Sequence, residues 1–507
     1  MLPAYCFLAY YLLFTIYCLL LPCLLPTFHC CLLCVPNDYG QTLTKVTLNH
    51  NYLFLQFMEV KLPRSYQTHI RESFHLAYPV MISQLGHVMM GVTDSIMVGH
   101  IGAEPLAAAS LANVVFNVIL LFGIGVSYAI TPLIASAQGE HNNQNISDTL
   151  KHGLAINFIN SLILVAIVIF AKDILFHIDQ PKEVVELSIP YLSIITYSLI
   201  PTLLFQTFRQ FSEGLSLTRI AMIVVIGSNF LNIGLNYIFI YGHAGFPAMG
   251  LVGAGWGTLI SRVVMALGIA YYIYYAKAFR NYRSGFSIGN YSRTLIKKML
   301  HIGIPAGVQF IFEVAAFDFS AVMMGWLGTK TLAAHQIAIN LATISYMTTT
   351  GLAAAATIRV SNEIGKKDFK AMRNVGFTIL GMALLIMAVW GLLFIVGRNF
   401  LPALYITDPE VIAIAAPLIV IAGFFQLADG TQVVCIGALR GLQDVKLPSL
   451  FIFIAYWIIG LPLGYWLGFK SGYGAIGIWL GLLIGLTLTA IAMFMRFRSL
   501  SRKIANR

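Results

Sequence analysis

"PVMISQLGHVMMGVTDSIMVGHIGAEPLAAA", residues 79–109, returns 226 positions later as "PAGVQFIFEVAAFDFSAVMMGWLGTKTLAAH", residues 305–335. Pro79 falls on Pro305, Gly99 on Gly325, Gly102 on Gly328, and Leu106, Ala107 and Ala108 on Leu332, Ala333 and Ala334. The likeness continues downstream. "SEGLSLTR" around Gly214 matches "LRGLQDVK" around Gly441 at an offset of 227, and "GLVGAGW" from Gly250 matches "GAIGIWLG" from Gly474 at 224. One design has been written twice along the chain.

Both copies are built for lipid. Of the 507 residues 58% are hydrophobic and 10% charged, with a mean hydropathy of +0.81, a composition that soluble domains do not have. Apolar runs of about 18 residues or more recur, each long enough to cross a hydrocarbon core of roughly 30 Å as a helix. Twelve are expected, near 74–99, 106–136, 150–171, 187–208, 218–241, 250–276, 299–326, 331–360, 373–397, 411–437, 447–468 and 474–496. Barrel strands would be shorter and alternating. The expected fold is therefore an all-α polytopic membrane protein with twelve transmembrane helices in two pseudo-symmetric six-helix lobes. Residues 58–276 form the first lobe, 277–298 a basic linker, and 299–507 the second lobe with a basic tail. Six spans per half is even, so both halves enter the membrane in the same direction, related by an axis along its normal. Two lobes facing a central cleft follow.

Charge orients the bundle. With the segment before the first span inside, the inner segments collect most of the lysines and arginines, including Arg209, Arg219, Lys277 to Lys298, Arg359, Arg440 and Lys446. The outer loops hold Lys172, Lys182, Lys330, Arg398 and Lys470. By the positive-inside rule both ends of the core are cytoplasmic. This bias accounts for the net charge of +11, and a nucleic-acid partner is not expected. The first 57 residues stand apart. They carry six of the seven cysteines and no Lys or Arg before Lys45, so they lack the basic start of a signal peptide. Met58 opens a basic lead into the first span, and translation is expected to begin there. The rival is an additional hydrophobic helix.

Four carboxylates, Asp94, Glu313, Asp318 and Asp429, fall well inside spans, with Glu213 near a cytoplasmic end. Each costs roughly 2.5–3.5 kcal/mol at the centre of a membrane helix, so each marks a functional site unless a buried cation or hydroxyl neutralises it. Arg262, in the sixth span, is the one basic candidate for that role. The run "SNFLNIGLN" puts Asn229, Asn232 and Asn236 on one helical stripe. That stripe either faces Asp94 with hydrogen-bonding groups or ties helices together. Gln309 lies one turn before Glu313, and Gln84 is a further polar residue of the first span. His87 and His335 are expected to serve packing more than proton transfer.

Together "TDSIMVGHIGAEPLAAASL", "FSEGLSLTR" with "NFLNIGLNYIFI", "FIFEVAAFDF" and "QLADGTQVVCIGALRGLQD" resemble the multidrug and toxic compound extrusion (MATE) family, in its bacterial NorM-type branch. The resemblance runs from about Ile70 to Arg496. It implies a secondary antiporter of the inner membrane, exporting organic cations such as dyes and drugs against inward Na⁺ or H⁺. It also implies that Asp94, Asn232 and Asn236 line a first-lobe site, while Glu313 and Asp429 are second-lobe cation-binding acids, with Na⁺ as their metal. Where the family leads one to expect a tyrosine one turn before the second-lobe aspartate, this chain has Phe425.

A mechanism follows from electrostatics alone. A carboxylate in a low-dielectric cavity is tolerated when neutralised by H⁺, by Na⁺ among oxygen ligands or by a cationic substrate. These neutralisers exclude one another, which is antiport. Aromatics at 13% and eighteen methionines suit a pocket for varied flat cations. No cofactor beyond the coupling ion and no oligomer is called for, and a monomer in the lipid bilayer is expected. The rival reading is a flippase or exporter of a lipid-linked or other endogenous metabolite, whose anionic headgroup would favour several cavity arginines. A major-facilitator carrier would carry a glycine-aspartate-arginine pattern that the loop 138–151 lacks. Neither H-E-x-x-H, G-x-S-x-G nor a phosphate-binding G-x-x-x-x-G-K-[ST] occurs, so no enzyme and no ATP hydrolysis are expected.

Overall fold

The computed structural model describes residues 64–177 and 181–506; the expectations for residues 1–57 and for a start at Met58 lie outside them. The first half runs through α1 (Arg64–Gly99), α2 (Ala103–Ser127) with α3 (Ile130–Gly139), α4 (Asn143–Ala171), α5 (Lys182–Tyr197) with α6 (Leu199–Gly214), α7 (Arg219–Tyr241) and α8 (Gly250–Tyr275). The second half repeats the order with α9 (Arg293–Leu327), α10 (Thr329–Gly365), α11 (Phe369–Val396), the short α12 (Phe400–Ala403) and α13 (Pro409–Gly441). It then closes through α14 (Lys446–Phe453), α15 (Leu461–Tyr465) and α16 (Gly474–Ala505). No strand is found among the described residues. Each half makes six crossings.

Ten of the crossings are long and apolar enough to span a membrane by length and composition. The other two, α1 and α10, interrupt their apolar faces with polar residues such as Gln84 and Asp94 or Gln336 and Asn340. Helix starts are fixed locally: Asn142, Ser292 and Asp368 each accept a hydrogen bond from the backbone three residues on, a cap worth about 1 kcal/mol. Residues 293–298, expected in the linker, already belong to α9.

Three crossings are not continuous α-helix, and each break falls at a proline. The ring at Pro132 crowds a helical carbonyl at Tyr128 and removes a backbone donor, and α2 gives way to α3 there, whereas Pro79 and Pro305 are accommodated inside α1 and α9. Pro201 acts likewise on Tyr197, separating α5 from α6. Pro462 faces Ile458, within a π-helical turn that spans Ile454–Gly460. This eleventh crossing packs unusually close to α16, with Gly464 of one against Gly481 of the other, where an added Cβ would collide with backbone.

One core cluster is built from residues 316–497 with Ala77, and two others mainly from the first half, taking in Met299, Ile302, Ala306 and Val445. The halves meet along two seams. Gly125 of α2 lies against Gly307 of α9, and Gly139 of α3 against Gly365 of α10, each pair so close that a Cβ on either side would strike backbone. Beside the second seam Arg359 of α10 reaches α1, donating to the His69 carbonyl and Ser73 Oγ, both at 2.7 Å, and to Glu72 at 2.6 Å. Asn362 Nδ2 donates to the Ala135 carbonyl at 3.3 Å. These contacts shut one face of the bundle, the same face on which Arg496 pairs with Asp444.

Candidate functional site

Between the halves lies a cavity of about 1470 Å³. It reaches from Gly99, His100 and Leu106, at the end of the bundle away from the closed face, down to Thr131, Glu213, Thr357 and Arg440. Asp94, Glu313, Asp318 and Asp429 all line it, together with Gln84, His87, Arg262 and Gln309. Asp94 and Glu213 of the first half and Glu313, Asp318 and Asp429 of the second therefore share one space.

In the first half Asp94 is buried and fully engaged. Asn236 Nδ2 donates to Oδ1 at 2.5 Å, and Thr258 Oγ1 donates to Oδ2 at 2.9 Å. Asn236 Nδ2 also reaches Asn232 Oδ1 at 3.4 Å, while Asn232 Nδ2 lies 3.5 Å from Thr258 Oγ1. The stripe on α7 thus faces Asp94 through Asn236, with Asn232 behind it. Asn229 does something else, donating to the Gly86 carbonyl at 2.8 Å and so tying α7 to α1.

The second half is less well furnished. Glu313 Oε1 accepts from Gln432 Nε2 at 2.7 Å, and Gln432 Oε1 accepts from Tyr456 OH at 3.2 Å. Asp429 is 5% exposed, and no hydrogen-bond donor to it is found among the described residues. Gln309 Oε1 and both amide atoms of Gln426 are buried without partners. Unpaired buried oxygens are costly, and a set of carboxylate and amide oxygens is the donor type a hard cation takes. Gln309 with Glu313, and Gln426 with Asp429, could hold such an ion. Asp318 lines the cavity but is exposed to it. At Phe425 a ring packs edge-on against Phe317, centroids 6.0 Å apart, and hydroxyls come instead from Tyr346, which lines the cavity, and from Tyr456.

His87 and His335 both pack against aromatic rings, and His87 also lines the cavity. His87 stands edge-on to Phe205 and His335 accepts from Trp479 Nε1 at 3.1 Å.

The reading of Arg262 as the one buried base is corrected by the structure. Arg262 donates to Ser198 Oγ at 2.6 Å and lies over Phe116, and no carboxylate ion pair to it is found among the described residues. Arg209 and Arg440, assigned to cytoplasmic segments from the sequence, are buried in the cavity wall, because α6 and α13 run on to Gly214 and Gly441 instead of ending at 208 and 437. Arg209 is paired with Glu213 at 2.7 Å and donates to Gln84 Oε1 at 3.0 Å. Arg440 lies 4.3 Å above the ring of Tyr128. The cavity therefore holds three arginines. The i, i+4 pair in "RQFSE" was a legible sign of the first; Thr258, Gln432 and Tyr456 left none, since only packing brings them to the acids.

A family model described as MatE matches the chain twice, over residues 79–238 and 305–466. The chain belongs to the MatE family. Its MatE relatives include "Probable multidrug resistance protein NorM" of Rhizobium meliloti, 34% identical over 87% of this chain and 96% of the relative. "Multidrug resistance protein NorM" of Photobacterium profundum is 33% identical over 86% and 96%. "Multidrug resistance protein MdtK" of Yersinia pseudotuberculosis is 32% identical over 87% and 97%. Among solved structures, a MATE protein crystallised "in the bent conformation" superposes with a TM-score of 0.80 at 20% identity, covering 88% of this chain and 99% of its own. A eukaryotic MATE transporter gives 0.77 at 19% identity, covering 87% and 99%. These likenesses establish the twelve-helix, two-lobed MatE fold.

Proposed function

We propose that the protein is a multidrug exporter, a secondary antiporter that moves organic cations outward in exchange for inward Na⁺ or H⁺. The observation that carries this reading is the convergence of buried acids from both halves, Asp94, Glu313 and Asp429, on one cavity large enough for drug-sized molecules. The multidrug-resistance names of the relatives support it. Ion and drug would take turns at Glu313 and Asp429, and each would shift the balance between inward-open and outward-open states by its differential affinity for them. The protein would work as a monomer in the cytoplasmic membrane, with both ends of the core inside. The closed face would then be cytoplasmic, and the structure would stand open outward.

The three arginines give some support to a flippase for a lipid-linked phosphate. Only Arg209 is neutralised, by Glu213; Arg262, whose hydrogen bond goes to the neutral hydroxyl of Ser198, and Arg440 keep their charge, but they share the cavity with Asp94, Glu313, Asp318 and Asp429, a balance that favours a cation over a diphosphate. The test is reconstitution in liposomes with ethidium under a Na⁺ gradient and, separately, a H⁺ gradient. Export driven by one gradient and lost in Glu313→Gln is expected. Folded protein that moves no dye under either gradient would overturn the antiporter.

A further inference from the structure

Arg440 is the cavity charge that the antiport of cations does not use. It lies in the last turn of α13, is 8% exposed, and lines the cavity. Neither an ion pair nor a hydrogen bond to its guanidinium is found among the described residues, and its Nε is buried without a partner. A buried guanidinium in that condition is expensive. What it does have is the face of Tyr128, a residue of the other half, 4.3 Å away. Tyr128 in turn stacks on Phe310, with centroids 5.5 Å apart and planes at 30°. Phe310 stands one helical turn from Glu313 on α9, and both aromatic residues line the cavity.

The repeat sharpens the contrast. The offset that lays Gly214 on Gly441 lays Glu213 on Arg440. At that position the first half holds an acid already neutralised by Arg209. The second half holds a base with no ion pair among the described residues, which feels the charge of Glu313 only at a distance. A cavity designed for cations alone gains nothing from a free guanidinium, whose field repels them.

We propose that Arg440, resting on Tyr128, is an anion subsite that receives the carboxylate of substrates which also carry a cation. The planar fork of a guanidinium matches a carboxylate in two parallel hydrogen bonds. Glu313, beyond Phe310, lies on the side where the cationic end would be received. The substrate class is the zwitterionic aromatic amphiphile, alongside simple cations. This inference rests on the drug-export reading and adds to it a second point of recognition.

The test uses two fluorescent dyes that differ only at this group, a rhodamine with a free carboxylate and its methyl ester. Affinities for the purified full chain are read by fluorescence anisotropy in wild type, Arg440→Gln and Arg440→Lys. Arg440→Gln is expected to raise the ratio of acid to ester dissociation constants by about tenfold or more, as loss of a charge-assisted pair in a desolvated site does. Arg440→Lys, which keeps the charge without the fork, falls between. Equal weakening of both dyes in the two variants, or no change in either, overturns the subsite and leaves the exporter intact. Wild type that binds neither dye overturns the drug-export reading and the subsite with it.

Discussion

Asp94 and Asp429 face one cavity from different halves, and their surroundings differ. Asp94 has a donor on each oxygen, Asn236 and Thr258. Asp429 has none among the described residues, and its neighbour Glu313 has one, from Gln432. A carboxylate held by two donors has much of its charge balanced by the protein itself, whereas one without donors must find a cation or a proton in the cavity. The repeat duplicated the helices and left the chemistry unequal. Position 87, the counterpart of Glu313 at an offset of 226, is a histidine packed on Phe205, and the counterpart of Asp94 is Ser320. On the antiporter reading the two lobes would have different work: the second would be the place of ion exchange, the first a better-satisfied wall.

The largest effects should come from removing the acids. Glu313→Gln and Asp429→Asn should each lower gradient-driven ethidium export by at least about tenfold, while the protein still elutes as a folded species. Asp94→Asn, which keeps an acceptor oxygen for one of its two donors, should lose less. Export falling as far in Asp94→Asn as in Asp429→Asn would break the contrast between lobes.

Stability should rank the other way. Asn236→Leu or Thr258→Val leaves Asp94 short of a donor and should cost about 1–3 kcal/mol each, read as a lower Tm in detergent. Gln432→Leu removes the sole donor to Glu313 among the described residues and should cost no more than either. A larger loss from Gln432→Leu would show that the second lobe is the better-knit of the two.

A finer probe is the ion itself. If Na⁺ is the coupling ion, Na⁺ at ten times its Kd should stabilise wild type by about 1.4 kcal/mol. Asp429→Asn should abolish that thermal shift and Asp94→Asn should keep it. No shift in wild type under Na⁺ would assign the coupling to H⁺. At the bottom of the scale stands Lys330→Ala. This residue pairs with Glu410 and Asp408 at an exposed helix end, and its removal should leave Tm and export unchanged within error.

The sequence told most where the membrane dictates the answer. Apolar runs placed all twelve crossings, and the repeat gave the pairing of halves, because lipid allows few alternatives to a helix. It told less where backbone chemistry acts inside a run: Pro132, Pro201 and Pro462 were visible, yet the expected spans passed through them as continuous helices. The acids were legible by their cost in lipid, and so was the asparagine stripe, by its period. Their partners were not. Thr258 and Gln432 are ordinary residues of helices α8 and α13, and what makes them matter is which helix lies opposite. Arg209 and Arg440 were misplaced for a related reason, since hydropathy fades before the helix does, and a buried arginine one turn past an apolar run looks like a loop residue.

The seam where Gly139 meets Gly365 is bare backbone on both sides. Bringing the two glycines together freezes no rotamer of their own, so the entropic cost that longer side chains would add at that point is absent. What the glycine contact adds to the Arg359 and Asn362 hydrogen bonds beside it is dispersion between atoms, about 0.1–0.2 kcal/mol per pair, and a gap of half an ångström to one ångström already forfeits a quarter to a half of that. Such a contact acts as a catch and not as a spring: strong only at full closure, and silent once the surfaces have parted.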